Sequence, residues 1–166
     1  WAGEAIAREL EAAGIVVDGG LRIRGEAAPA RPHTELAVLR SPPLTRWTEP
    51  ILRHSLNWYA EMLLRQLAFA ETGEGRDDTG LDLLAAFLTE TVGVEPGSFH
   101  LDDASGVSPY NLITPRALAQ VLDWARRQPW SDAWLAALPG SKTGTLEAWP
   151  SLPTGMVAKT GTLRHT

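Results

Sequence analysis

The chain has 166 residues, a formal net charge of −5, 44% hydrophobic and 21% charged residues and no cysteine. These values describe an ordinary globular chain of about one domain. They exclude a disulfide framework or thiolate metal site, and the scattered basic residues give no nucleic-acid surface. No apolar run reaches the roughly 18 residues of a membrane span.

Residues 2–13 carry Ala, Ile and Leu at helical spacing, and Gly14 is a helix stop. Ile15-Val16-Val17 predicts a short strand, Asp18-Gly19-Gly20 a turn and Leu21-Arg22-Ile23-Arg24 a second strand. Gly25 to Pro32 is an Ala/Pro loop, and Glu35 to Arg40 reads as another strand. Ser41-Pro42-Pro43 opens a short helix. The strongest helical pattern covers residues 55–70, with Glu61 and Arg65 placed for an i,i+4 ion pair. Thr79 is positioned to cap a helix that ends near Gly93. Phe99 to Leu101 predicts a strand leading into the polar loop Asp102 to Asn111, where Asp103 is placed to orient the loop. Thr114-Pro115 starts a helix running to about Arg127, and a short Trp-rich helix follows. Gly155 to Thr160 reads as a strand. The seven tryptophans are assigned to core and packing.

Two lysines are present, and each opens a Lys-Thr-Gly-Thr-Leu run, at Lys142 and Lys159. Lys-Thr-Gly is a signature of serine penicillin-binding proteins and β-lactamases, where it lies beside a Ser-x-x-Lys nucleophile. A Ser-x-x-Lys would need Ser at 139 or 156, which hold Pro139 and Met156. The nucleophile of such an enzyme is therefore expected outside this chain. Trp1 at the start and Thr166 in a strand-like stretch suggest a segment of a larger protein.

Context separates the copies. Lys159 follows the apolar Gly155-Met156-Val157-Ala158, whereas Lys142 follows the turn-forming Leu138-Pro139-Gly140-Ser141. In the functional copy an ammonium and a hydroxyl meet a substrate carboxylate, and glycine leaves room along the strand. Ser55-Leu56-Asn57 supplies the hydroxyl and amide that partner such a motif. Taken alone, Ser55 reads as the N-cap of the long helix. The four histidines, at 33, 54, 100 and 165, show no pairing at ligand spacing, so no metal site is expected, and no cofactor is expected either.

The chain resembles the D-Ala-D-Ala carboxypeptidase/endopeptidases, the class C low-molecular-mass penicillin-binding proteins. The matching blocks, in order, are Leu10 to Gly19, Ser41-Pro42-Pro43-Leu44, Ser55 to Leu64, Asp103 to Ser108, Leu138-Pro139-Gly140 with Gly144-Thr145-Leu146, and Val157 to Leu163. Leu56 departs from the family's usual Asp, and Pro109 from a frequent Arg. The resemblance implies an α+β, transpeptidase/β-lactamase-like fold, an antiparallel sheet flanked by helices, with residues 1–166 as one incomplete segment. It implies a serine hydrolase that forms an acyl-enzyme with peptidoglycan stem peptides ending in D-Ala-D-Ala, outside the cytoplasm, with β-lactams as covalent inhibitors. Ser55, Asn57 and Lys159 are then catalytic, and Thr160, Gly161 and Thr162 bind substrate. The other expectations kept open are a β-lactamase-like hydrolase and a non-catalytic peptidoglycan-binding domain.

Overall fold

The computed structural model describes residues 2–21, 34–35, 37–149 and 151–162. The chain divides into two compact units, residues 1–40 and 41–166.

In the first unit, helix α1 spans Ala2–Ala12, and Gly14 follows it with φ +79°. Leu21 lies so close to Gly3 that a Cβ there would come within 2.5 Å of its side chain. Ile6, Leu10, Ile15, Val17 and Leu21 line an apolar hollow. The expected strand at 15–17 is absent: these residues are irregular, and Val16 is 78% exposed. A strand needs a ladder partner, and no described segment pairs with it. Residues 37–40 are likewise irregular rather than a strand. The expected strand at 21–24 lies, beyond Leu21, outside the described residues, as does the loop at 25–32.

Among its described residues the second unit is helical, with one small sheet. Helices α2 (Leu44–His54) and α3 (Asn57–Thr72) follow each other with Ser55 and Leu56 between them. Helix α4 (Asp77–Ala86) packs on α3 so closely that a Cβ at Gly80 would lie 2.7 Å from Leu64 Cγ. Helix α4 starts two residues before Thr79, and its N-cap residue is Arg76. It runs into a wider π-type turn, Phe87–Val92, that ends at Gly93 with φ +81°. Arg65 does not pair with Glu61. Its guanidinium binds both Asp77 oxygens, at 2.6 and 2.9 Å, because α4 places a carboxylate opposite it.

Strand β1 (Phe99–His100) pairs antiparallel with β2 (Leu112–Ile113). Helix α5 (Pro115–Arg126) is capped as the sequence predicts, the Thr114 hydroxyl accepting the Ala117 N–H at 3.2 Å. Helix α6 (Ser131–Ala137) follows. Leu88, Val94 and Ala117 form a core, with Val92, Phe99, Leu101 and Val121 packed against it. Residues 155–160 form a single antiparallel bridge, Val157 to Gly140, instead of the expected strand. Only the Gly140 segment lies alongside among the described residues, and one neighbour over one residue does not make a ladder.

The polar loop between β1 and β2 is closed by its own side chains. The Asp103 carboxylate accepts the Gly106 N–H at 2.5 Å, the Ser108 N–H at 2.6 Å and the Asn111 amide at 2.8 Å. Glu61 Oε1 accepts the Ser105 N–H at 2.9 Å and so ties the loop to α3. Partial burial pushes the Asp103 carboxyl up, but the donated hydrogen bonds from Ser108, Asn111 and Gly106 outweigh it and hold the pKa below the usual value. A carboxyl depressed in the folded state adds stability above its unfolded pKa, and loses it as pH falls through the folded value. Asp103→Ala is expected to cost about 2 kcal/mol at neutral pH. Denaturant midpoints should show that gap narrowing once the pH drops below the folded carboxyl value.

Candidate active site

Helix α2 ends where the site begins. Ser55 is its C-cap, in the left-handed region at φ 56°, ψ 45°, with its N–H bonded to the Pro50 carbonyl. The N-cap assignment for Ser55 is therefore wrong: Leu56 is the residue before α3, and no side chain caps that helix. A non-glycine residue in this region costs about 1–2 kcal/mol, so surrounding contacts must hold it there. Two are visible. Arg53 Nη2 donates to the Ala136 carbonyl at 2.6 Å and pins the end of α2 to α6. The Gly144–Leu146 turn packs so tightly on α2 that a Cβ at Gly144 would lie 2.4 Å from the Arg53 carbonyl oxygen.

The left-handed turn aims the Ser55 hydroxyl at Lys159, 104 residues away in sequence. Lys159 Nζ donates to Ser55 Oγ at 2.7 Å and to the Thr160 carbonyl at 2.7 Å. Lys159 is exposed as a residue, but its ammonium end is tucked between these two oxygens. The partial loss of water there lowers its pKa from the ordinary lysine value. The segment bearing it is anchored by the Val157–Gly140 bridge and by the Ala158 N–H donating to the Pro139 carbonyl at 3.1 Å.

The chemistry of the contact follows from its donors. An ammonium only donates, so Ser55 Oγ must be the acceptor. Its own O–H hydrogen is then free to be given elsewhere. Lys159 has three N–H bonds and uses two, which leaves one for an anion.

An open cleft of about 530 Å³ adjoins this pair at Ser55, lined by Ser55, Thr145, Trp149, Thr160, Gly161 and Thr162. Five of the sequence-derived site residues thus come together: Ser55 and Lys159 in contact, and Thr160, Gly161 and Thr162 along the cleft. Asn57 opens α3 on an exposed position and stands outside the set lining the cleft. Lys142 sits at φ 66° in an exposed turn closed by the Thr143 N–H to the Gly140 carbonyl at 3.1 Å.

Sequence reasoning does not place Thr145 and Trp149 at the site. The assignment of tryptophan to packing holds for Trp47, in ring contact with Tyr59, and for Trp124, against Phe87 and Trp130. It fails for Trp58 and Trp149, which are 68% and 60% exposed. The signal available for Trp149 was its position three residues beyond Gly144-Thr145-Leu146, a turn that needs a docking partner.

Short helices with a small sheet, and a serine and a lysine from distant segments in contact beside an open cleft, are the arrangement expected of the serine penicillin-binding class. The family model of the D-Ala-D-Ala carboxypeptidase 3 (S13) family matches residues 1–166, and the chain belongs to that family. It is similar to a D-alanyl-D-alanine carboxypeptidase of Actinomadura sp. (strain R39), 32% identical over 138 residues, covering 83% of this chain and 26% of the relative. It is also similar to the D-alanyl-D-alanine carboxypeptidase DacB of Haemophilus influenzae, 26% identical over 172 residues, covering 99% of this chain and 35% of the relative. The crystal structure of penicillin-binding protein 4 from Haemophilus influenzae, complexed with a β-lactam, matches with a TM-score of 0.81 at 26% identity. That match covers 98% of this chain and 38% of the solved one, and it establishes the α+β penicillin-binding fold. The chain spans about a quarter to a third of the length of the curated relatives it matches.

Proposed function

We propose that the complete protein is a serine-type D-Ala-D-Ala carboxypeptidase, with endopeptidase action on the same bond type, working on peptidoglycan stem peptides outside the cytoplasm. The observation that carries the proposal is the 2.7 Å contact between Lys159 Nζ and Ser55 Oγ beside an open cleft. A nucleophilic serine outside this chain attacks the penultimate D-Ala carbonyl and forms the acyl-enzyme, which water then hydrolyses. Ser55 gives its proton to the departing amine. Lys159 holds the Ser55 oxygen as an acceptor and, with Thr160, attracts the terminal carboxylate. Gly161 leaves room beside the substrate. The Thr162 N–H supports the oxyanion together with the N–H of the nucleophile. Asn57 holds the substrate amide. β-Lactams acylate the same nucleophile. The chain contains no Ser-x-x-Lys, so it supplies half of the site.

The test is release of D-alanine from a D-Ala-D-Ala peptide by the complete protein. Its pH profile carries the signature of Lys159. Because partial burial lowers that pKa, the alkaline limb of kcat/KM should fall below the pH at which a free lysine loses its proton. An alkaline limb at or above the free-lysine value would contradict the lowered Lys159 pKa, and no alkaline limb at all would argue against a charged Lys159 in the reaction. Absence of D-alanine release would argue against the function.

A further inference from the structure

The cleft holds two groups whose proposed partners sit on the same part of the substrate. In hydrolysis of a D-Ala-D-Ala bond, the residue that departs carries both the amine that Ser55 protonates and the carboxylate that Thr160 and Lys159 attract. Ser55 and Thr160 line one cleft, so the side chain of the departing residue must lie against the other walls of that cleft. One wall is Gly161, where a Cβ would meet no protein atom within 4 Å. Among the described residues, nothing packed around Gly161 requires a glycine, and the space it leaves is open to a ligand. Thr145 and Trp149 also line the cleft.

Trp149 is held in place by its backbone. Its N–H donates to the carbonyl of Leu146, the last residue of the Gly144–Leu146 turn, at 3.0 Å, and Leu146 is buried at 5% exposure. Trp149 is 60% exposed and lines the cleft, so apolar ring surface meets water there. A cleft lined by both an exposed aromatic ring and a glycine has the apolar surface and the room to accept an aliphatic side chain, and gains least from a bare glycine.

We infer that this cleft is the leaving-group half of the substrate site, and that the Trp149 indole selects which residue is released, favouring an aliphatic side chain. The inference rests on the proposed carboxypeptidase function. In the step concerned, the acyl carbon–nitrogen bond breaks while the ester bond to the nucleophilic serine remains, the nitrogen takes the Ser55 proton, the proton lost by the nucleophile replaces it, and the free amino acid leaves past Trp149.

The experiment uses the complete protein and three peptides with one acyl part, ending in D-Ala-Gly, D-Ala-D-Ala or D-Ala-D-Leu. Trp149→Ala should lower kcat/KM about tenfold for release of D-Leu and less than about twofold for release of glycine. Trp149→Phe, which keeps an apolar ring, should stay within about threefold of wild type on all three. Deacylation, which follows departure of the released residue, should not change. An equal loss on all three peptides would assign Trp149 a merely structural role and overturn the inference, as would no change on any. If the wild-type protein releases no amino acid from any peptide, the carboxypeptidase function fails first and takes this inference with it.

Discussion

In the complete protein, Lys159→Ala should slow acylation by benzylpenicillin about a thousandfold, and Ser55→Ala about a hundredfold, with thermal midpoints close to wild type. Both side chains belong to loops, not to the core. Lys159 is exposed and Ser55 half-buried, so truncation opens no core cavity. The functional loss arises because the two act on one proton path. Without Lys159, the Ser55 oxygen loses the donor that fixes it as acceptor, and the positive charge beside it is lost. Without Ser55, the ammonium remains to attract the carboxylate, so the loss is smaller. Stopped-flow acylation traces check both. Rates within about threefold of wild type for both variants would remove Ser55 and Lys159 from the proposed roles.

Gly144→Ala should cost about 3 kcal/mol of stability, more than Asp103→Ala. The added methyl would meet the Arg53 carbonyl oxygen at 2.4 Å and Arg53 Cγ at 2.7 Å, at a backbone φ of 52°. The carbonyl is backbone and cannot swing aside as a side chain does. Any relief moves Arg53, and Ser55 is two residues further on. The variant should therefore lose acylation rate, about tenfold, as well as denaturant resistance. Lys142→Ala, two residues earlier in the same run, should leave the rate within about twofold, because Lys142 is exposed in a turn. A Gly144→Ala protein as stable and as active as wild type would contradict the buttress.

The two Lys-Thr-Gly runs show what could be read from the chain and what could not. Flanking residues separate Lys159 from Lys142, and the contact to Ser55 falls on Lys159. Yet the second run is not idle: its Gly144 docks on α2 and its Thr145 lines the cleft. Spacing alone does not show this, because the docking partner, Arg53, lies far back in the sequence. Ser55 is misread for a related reason. Its residue type favours an N-cap, and a left-handed serine at the end of the preceding helix has no local signal; contacts from α6 and the Gly144 turn impose it. Helices α1, α3 and α5 were legible because their patterns and stops are local, as with Thr114 capping α5. The strands expected at 15–17 and 155–160 were not, since a strand exists only through its neighbours.

The central claim is that Ser55 and Lys159 act as one unit. A double-mutant cycle on the acylation rate of the complete protein tests it most directly. Ser55→Ala, Lys159→Ala and the double variant are compared with wild type under one set of conditions. The double variant should be no slower than Lys159→Ala alone, within about threefold, because removing either partner already breaks the shared path. Penalties that multiply, with the double variant slower by the product of the two single losses, would show two independent residues and contradict the account.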